Sequence, residues 1–166
     1  MLEILKFPDP RLKRIAEPVR EFGTKLHGLL DEMAETMYAA DGIGLAAPQV
    51  GESLRLFVID LGPGEKRKAK LHEFINPVLK DGEGSIAFEE GCLSVPGVTE
   101  EVKRKEKITV SYQDRNGKKL EMTAEGLLAV AIQHENDHLD GVLFVDKLSP
   151  LKRRLLKKKL QKAVTL

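Results

Sequence analysis

The strongest constraint in this sequence is a late helical stripe that carries two histidines. Five residues repeat at helical spacing, and they are Leu127, Val130, Ala131, His134 and His138. The pattern predicts an amphipathic helix from Ala124 to Leu139 with both histidines on its apolar face. Residues four apart are separated by about 40° around a helix axis, so both imidazoles point the same way. Buried imidazole nitrogens without partners cost free energy, so the fold must supply something for them to bind.

The residue that follows the first histidine narrows what the pair can bind. Glu135 completes the pattern His134-Glu135-x-x-His138, which is typical of metallohydrolases. The two histidines could instead hydrogen-bond to nearby carboxylates or carbonyls, but a chance match is rare in a chain with only four histidines. No histidine follows Gly141, and the one acid beyond it, Asp146, is too close to the helix to complete a site. We therefore expect a third ligand upstream.

The single cysteine of the chain is the strongest candidate for that third ligand. Cys92 stands in EEGCLSVPG, where glycine and proline disfavour a continuous helix. A thiolate with two imidazoles gives three strong ligands and leaves a fourth position for water, as catalytic sites do. Two alternatives stay open at this point. Cys92 could be a small buried apolar residue, or His27 or His72 could complete a closed structural site.

The composition predicts one globular domain that spans residues 1–166. Hydrophobic residues make up 42% of the chain, which is sufficient for a core. The 27 basic and 26 acidic residues nearly cancel, so the net charge predicts neither a membrane partner nor sequence-specific nucleic-acid binding. One cysteine fits a reducing compartment. Neither a signal peptide nor an apolar run of about 20 residues is visible, so we expect a cytoplasmic protein.

Local signals outside the histidine helix predict two further helices. Thr24 can cap a helix that ends near Ala40. The apolar residues at helical spacing in this segment are Leu26, Leu29, Leu30, Met33 and Met37. Ser149 and Pro150 are expected to start a C-terminal helix as its N-cap and first residue. Gly141 suits the left-handed conformation that ends the histidine helix.

Several stretches between these helices carry β-strand signals. LRLFVID at 54–60 predicts a buried strand, and HEFINPVL at 72–79 predicts another that stops at Pro77. ITVSYQ and KKLEMTAE flank Asn116-Gly117, which favours a tight hairpin turn. LGPGEKRKAK at 61–70 predicts an exposed, mobile loop. The fold class is therefore α+β, with short antiparallel sheets packed around the central histidine helix between an N-terminal and a C-terminal helix.

Three segments resemble, in order and spacing, the signature motifs of bacterial peptide deformylases. They are GIGLAAPQV at 42–50, EGCLS at 90–94 and QHENDHLDG at 133–141. The resemblance extends over essentially the whole chain. It implies the fold of that family and a hydrolase that removes the N-formyl group from the initiator methionine of N-formylmethionyl nascent peptides. It also implies that Cys92, His134 and His138 are the metal ligands and that Glu135 is the catalytic acid and base.

The same resemblance implies how the substrate is held. The Gln49 side-chain amide and the Leu93 backbone N–H would stabilise the negative charge that develops on the formyl oxygen. Ile43 and Gly44 would pair with the peptide as an added strand. The methionine side chain would lie in a pocket walled by Leu127, Val130 and Ala131. Core packing is a competing use of those three residues.

The metal and the function have alternatives of their own. One thiolate and two imidazoles suit Zn²⁺, whereas the resemblance implies Fe²⁺ as the physiological ion, replaceable by Ni²⁺, Co²⁺ or Zn²⁺. A metallopeptidase that cuts internal peptide bonds is one competing function, although the thiolate and the missing downstream ligand argue against it. A non-catalytic binding module stabilised by zinc is the other.

The C-terminal segment is strongly basic. Seven basic residues and no acid lie between Lys152 and Lys162. The leucines there, Leu151, Leu155, Leu156 and Leu160, form an apolar stripe. One interpretation is a helix that packs through its leucines and leaves a solvated basic face. The other is a helix that docks on ribosomal RNA near the exit of nascent chains.

The resemblance to the family also bears on Asp137 and on Thr99. Asp137 is expected to point away from the metal and to pair with Arg104, unless both are solvated charges. Several deformylases carry an arginine in the segment that follows the cysteine, where this chain has Thr99. The resemblance therefore does not define how this chain holds a substrate beyond its methionine.

Overall fold

The structure is a computed structural model that describes residues 1–62 and 70–165, with the backbone alone described for residues 160–165. Most of the loop predicted at 61–70 lies outside the described residues. The helices are α1 (Thr24–Ala39), α2 (Gly126–Leu139) and α3 (Pro150–Thr165). The strands are β1 (Gly44–Ala46), β2 (Leu56–Ile59), β3 (His72–Glu83), β4 (Ile86–Cys92), β5 (Val95–Arg104), β6 (Lys107–Gln113) and β7 (Lys119–Glu125). None of the helices within the described ranges has the length and apolar character needed to cross a bilayer.

The strands form two antiparallel sheets. The larger sheet has five strands in the order β1-β2-β3-β6-β7, and the smaller one is the β4–β5 hairpin. Within the part of the chain that the structure describes, β1 is therefore an edge strand with one side that pairs with no other strand. The predicted α+β class with short antiparallel sheets is confirmed.

Helix α2 lies between the large sheet and the hairpin. On one side, Ala129, Ile132 and Leu139 are fully buried in a cluster that includes Phe57 and Phe74 of the large sheet. A separate apolar cluster, which includes Val95 and Val102 of β5 and Phe144, packs under the hairpin. The ring of His134 lies 6.1 Å from that of Phe144, measured between centroids. The histidine face of α2 is thereby turned toward the hairpin, and both histidines are buried, as the apolar stripe predicted.

The predicted stop of the second strand at Pro77 is wrong. Strand β3 continues to Glu83, and it passes Pro77 through a register shift between Ile75 and Val78. Asn76 takes a positive φ of 51° at this irregularity. Its side chain accepts from the N–H of Val19 at 2.8 Å and donates to the Val19 carbonyl at 2.9 Å. A bulge places the proline where no ladder hydrogen bond is required, so the strand does not end.

Two helix starts differ in how closely they follow the prediction. Gly23, not Thr24, is the N-cap of α1, and no side chain caps that end. Thr24 is instead the first helical residue, so the prediction that it caps the helix is wrong. For α3 the prediction is confirmed, since the N–H of Lys152 donates to Ser149 Oγ at 3.3 Å.

The expected turn between β6 and β7 is also confirmed. Gly117 has φ 85°, and its N–H donates to the Asp114 carbonyl at 2.9 Å. Asp114 Oδ1 accepts from the N–H groups of Asn116 and Lys118 at 2.9 and 3.0 Å. The aspartate side chain therefore fixes a turn that the glycine conformation permits.

Helix α3 packs less through its leucines than the stripe predicted. Leu156 contacts the cluster under the hairpin, but Leu151 and Leu155 are 66% and 59% exposed. Two ion pairs also join α3 to the body of the protein. Lys152 contacts Glu100 at 3.1 Å, and Lys157 contacts Asp146 at 3.4 Å. Only part of the basic segment is therefore engaged with the body of the protein.

Gly141 provides a test of how α2 ends. Its φ is 74°, and a Cβ there would lie 2.4 Å from the Lys13 carbonyl oxygen. Gly141→Ala should lower the free energy of unfolding by about 2–4 kcal/mol, because backbone strain and a clash with backbone add. Gly28→Ala is the control, since a Cβ in that part of α1 meets nothing within 4 Å. The control should gain about 0.5–1 kcal/mol. Equal urea midpoints for the two variants would contradict this account.

Candidate metal centre

Three potential metal ligands converge where the hairpin meets α2. Cys92 ends β4, and His134 and His138 stand one helical turn apart on α2. One donor atom from each of the three lies within 4.8 Å of the other two, and Cys92 Sγ is 3.4 Å from His138 Nε2. Among the described residues, no other group of three His, Cys, Asp or Glu side chains comes as close. The three residues predicted as ligands are therefore brought together.

The other two histidines lie elsewhere. His27 Nε2 is 2.7 Å from the Arg115 carbonyl oxygen, and the ring of His72 stacks on Phe74 at 6.0 Å. Neither takes part in the cluster, so the alternative of a closed structural site that uses His27 or His72 is wrong.

The donor atoms fit a divalent transition-metal ion. His134 Nδ1 is 2.8 Å from Glu90 Oε1, which leaves its Nε2 free to act as a ligand. Burial lowers the pKa of both imidazoles. For His134, contacts with Cys92 and Glu90 outweigh this and raise the pKa well above its usual value. For His138, burial and the charge of His134 lower the pKa well below it. The two rings are 5.2 Å apart, so a proton on one disfavours a proton on the other. A divalent cation could bind a neutral nitrogen of each ring instead.

A buried carboxyl group lies beside this cluster. Glu135 is 5% exposed, and its Oε1 has no hydrogen-bond partner among the described residues. Burial raises the pKa of Glu135 to about 7, and the Glu90 carboxylate adds to the effect against the opposing charge of His134. A carboxyl group that titrates near neutrality can both accept and deliver a proton under physiological conditions.

Gly44 allows that carboxyl group to approach β1. A Cβ at position 44 would lie 2.5 Å from Glu135 Oε2. No other residue type could occupy this position without displacing the carboxylate, because every other residue has a Cβ atom. Gly44 of the GIGLAAPQV motif therefore leaves room for the carboxylate of Glu135, which belongs to the QHENDHLDG motif.

The amide of Gln49 is fixed with its donor toward the cluster. Its Oε1 accepts from the Ala46 N–H at 2.8 Å, and its Nε2 lies 3.1 Å from Ser94 Oγ and 3.4 Å from Cys92 Sγ. Gln49 lies in a single 3₁₀ turn (Ala47–Val50) that directly follows β1. Pro48 stands in the first residues of this turn, a position that proline tolerates.

A cavity of about 530 Å³ opens over the cluster. Its lining includes all the residues that sequence analysis assigned to the substrate and the oxyanion, namely Ile43, Gly44, Gln49, Leu93, Leu127, Val130 and Ala131. Cys92, His134 and Glu135 line it too, whereas His138 lies behind them, 1% exposed. The cavity therefore joins the potential ligands to an apolar space.

Two parts of this site were not predicted from the sequence. Phe88 of β4 lines the cavity and is 38% exposed. Glu90 was missed as the partner of His134. No local pattern marked it, because its partners Arg104 and His134 come from other elements.

Arg104 holds Glu90 in place. Its Nε and Nη2 donate to the two oxygens of Glu90, each at 2.8 Å, and its Nη1 donates to Asp137 Oδ2 at 2.6 Å. The expected pair of Asp137 and Arg104 is therefore present. Although burial opposes it, hydrogen bonds from Arg104 and His134 lower the pKa of Glu90. This keeps Glu90 ionised as the acceptor for the His134 ring.

Comparison with known proteins agrees with the three motifs. The sequence profile of the family described as polypeptide deformylase matches residues 1–154. The chain is 56% identical to a peptide deformylase of Thermodesulfovibrio yellowstonii over 159 residues, which is 96% of each chain. The crystal structure of a peptide deformylase from Legionella pneumophila superposes with a TM-score of 0.92 at 50% identity, covering 99% of this chain and 96% of that one. The corresponding structure from Thermotoga maritima gives 0.84 at 44% identity, covering 90% and 99%.

The resemblance carried by GIGLAAPQV, EGCLS and QHENDHLDG is thus confirmed along nearly the whole chain. These relatives agree with the fold described above, which places the three motifs around one cavity. The chain therefore belongs to the polypeptide deformylase family, metal-dependent hydrolases that remove the N-formyl group from newly made polypeptides.

Proposed function

We propose that residues 1–166 act as one catalytic domain in which Cys92, His134 and His138 hold one divalent ion and Glu135 transfers the proton. The observation that carries this proposal is the convergence of one thiol and two imidazoles within 4.8 Å beneath an open cavity. Membership of the family fixes the reaction as hydrolysis of the formyl amide, which releases formate and a free methionine amino group. Neither a metallopeptidase nor a binding module is needed to explain the site.

The ion and Glu135 have separate tasks. When bound, a divalent ion supplies Lewis-acid chemistry that brings the pKa of water toward neutrality. Glu135 accepts the proton that the attacking water gives up, and it then delivers a proton to the nitrogen that leaves as the methionine amine. Its raised pKa and its free Oε1 both support this role. Because the same group takes and gives the proton, it returns to its starting state in each cycle.

The negative charge that develops on the formyl oxygen needs donors that are already in position. We assign this task to Gln49 Nε2 and to the Leu93 backbone N–H. The anchoring of Gln49 Oε1 by the Ala46 N–H supports the first assignment, since the amide cannot rotate without breaking that hydrogen bond. The place of Leu93 in the cavity wall next to Cys92 supports the second.

The peptide and the methionine side chain are assigned to different walls. Ile43 and Gly44 stand at the start of the edge strand β1, whose free side can pair with an extended peptide. The apolar wall of α2, formed by Leu127, Val130 and Ala131, is proposed to enclose the methionine side chain. Val130 and Ala131 are also buried, so packing and substrate binding coexist there.

We propose Fe²⁺ as the physiological ion, with Zn²⁺, Ni²⁺ or Co²⁺ as substitutes. The mixed sulfur and nitrogen donors support any of these ions. The preference for iron rests on the resemblance to the family.

The basic face of α3 is proposed to contact the ribosome. Of its basic residues, Lys152 and Lys157 are engaged in ion pairs with the body of the protein. Arg154, Lys158 and Lys159 are exposed. A cluster of exposed cations on a chain of nearly balanced charge favours a local contact with phosphate groups.

Replacing the proposed acid and base should remove activity without removing the ion. Glu135→Gln should lower kcat for formate release from formyl-Met-Ala-Ser by about 10²–10⁴-fold, because the amide cannot carry the proton. The metal content, measured by elemental analysis of protein loaded anaerobically with Fe²⁺, should stay at one ion per chain. Glu125→Gln, which removes an exposed carboxylate at the start of α2, is the control and should match the unmodified enzyme. An unchanged kcat for Glu135→Gln would refute the assignment.

The proposed ligands should also be visible without any assay of activity. Apoprotein titrated with Co²⁺ should develop a sulfur-to-cobalt charge-transfer band. Cys92→Ser should lose this band and bind Co²⁺ at least tenfold more weakly. The expected factor follows from the roughly 10–100-fold effects on metal affinity that changes of outer-shell partners produce. His27→Ala should keep both, because the His27 ring contacts the Arg115 carbonyl and is not one of the three grouped donors. Retention of the band in Cys92→Ser would exclude the thiolate as a ligand.

Contact with the ribosome depends on the three exposed cations of α3. Substituting Arg154, Lys158 and Lys159 together by Gln should weaken sedimentation with ribosomes and make the salt dependence of binding shallower. The rate on formyl-Met-Ala-Ser should not change. The control variant replaces three other exposed cations by Gln, namely Arg20, Lys25 and Lys119. Equal ribosome binding by the two variants would argue against docking through α3.

A further inference from the structure

The mouth of the cavity carries more negative than positive charge. Among the charged residues that line the cavity, the exposed ones are Lys6, Asp41 and Glu89. Neither Asp41 nor Glu89 forms an ion pair with any side chain that the structure describes. Two carboxylates without a cationic partner therefore face whatever enters the cavity, against one lysine.

Glu89 is held at this mouth by a neighbouring hydroxyl group. Thr99 Oγ1 donates to Glu89 Oε1 at 2.8 Å across the β4–β5 hairpin, and Thr99 lines the cavity as well. A hydroxyl donor fixes the carboxylate without neutralising it, unlike a lysine or an arginine. The full negative charge of Glu89 remains available to a ligand.

Both carboxylates belong to the cavity lining that a substrate has to pass. A peptide whose formyl carbon lies over Cys92 and Glu135 must leave the cavity through its mouth, because its C-terminal end continues into the nascent chain. The exposed part of the lining includes Asp41, just before β1, and Glu89 of β4. We therefore expect the first residues after methionine to come close to these two charges.

We propose that Glu89, positioned by Thr99, is a specificity-determining residue that favours nascent chains with Lys or Arg directly after formyl-methionine. Together with Asp41 it disfavours chains with Asp or Glu there. This inference rests on the deformylase site proposed above and names the substrates that this site processes fastest. The attraction is between partly solvated charges, so each carboxylate should change kcat/KM by roughly two- to fivefold. Salt should weaken it, since the screening length is about 10 Å at 0.1 M and about 3 Å at 1 M.

The test compares three peptides on the metal-loaded enzyme. Formyl-Met-Lys-Ser, formyl-Met-Ala-Ser and formyl-Met-Glu-Ser differ only in the charge of the second residue. At low ionic strength, kcat/KM should be on the order of tenfold higher for the lysine peptide than for the glutamate peptide. This ratio should fall toward one as salt is added, while the rate on the uncharged alanine peptide changes little.

Variants of the hairpin identify the residue responsible. Glu89→Gln should lower the ratio between the lysine and glutamate peptides by roughly two- to fivefold. Thr99→Val should lower it in the same direction by a smaller factor, because the carboxylate stays but is no longer held. Glu21→Gln is the matched control, since Glu21 is exposed, lies outside the β4–β5 hairpin and does not line the cavity. Its ratio should equal that of the unmodified enzyme.

The outcomes separate this inference from the proposed site. Equal rates on all three peptides, an unchanged ratio in Glu89→Gln, or an equal effect of Glu21→Gln would each overturn the inference while leaving the catalytic assignment intact. An unmodified enzyme that hydrolyses none of the peptides would overturn the proposed site along with it. A ratio that depends on Glu89 and salt, with hydrolysis of formyl-Met-Ala-Ser unchanged, would support both.

Discussion

The hydrogen bond between Glu90 and His134 is the contact on which the geometry of the site depends. It joins β4 to α2, and through Arg104 it extends to β5 and to Asp137. A buried carboxylate is unfavourable unless it is paired and its oxygens are satisfied, and the two-point contact with Arg104 meets that need. Because Glu90 occupies Nδ1 of His134, the other ring nitrogen faces Cys92 and His138. The orientation of one proposed ligand is therefore set by an ion pair that binds no metal itself.

The rest of the fold brings the cavity to that contact. The large sheet buries one side of α2 and leaves the opposite side for the histidines, and β1 ends the sheet close to Glu135. Gly44 makes this approach possible, because any side chain there would meet the Glu135 carboxylate. The edge strand, the acid and the proposed ligands thus lie within one small region. Close packing of helix against sheet, rather than a flexible loop, determines their spacing.

Sequence patterns predicted the parts of this arrangement that depend on neighbours along the chain. The stripe of α2, the buried strand β2 and the Asn116-Gly117 turn follow from local periodicity and backbone preference. Cys92 could be linked to the histidines only as a candidate, and the resemblance to a family made the assignment specific. The stop at Pro77 failed because the bulge there depends on Asn76 binding the distant Val19 backbone. Glu90 was missed for the same reason, since both its partners come from other elements.

Two adjacent glutamates show how one strand serves two purposes. Glu90 is buried against Arg104 and His134, whereas Glu89 is exposed at the mouth and bonded to Thr99. Successive side chains of a strand point to opposite faces, so neighbouring positions can differ completely in environment. Changing Glu90 would leave two donors of the buried Arg104 guanidinium without their acceptor and His134 without its partner, but changing Glu89 removes only a solvated charge. The chemistry and the selectivity of the site can therefore vary independently, although their residues are covalent neighbours.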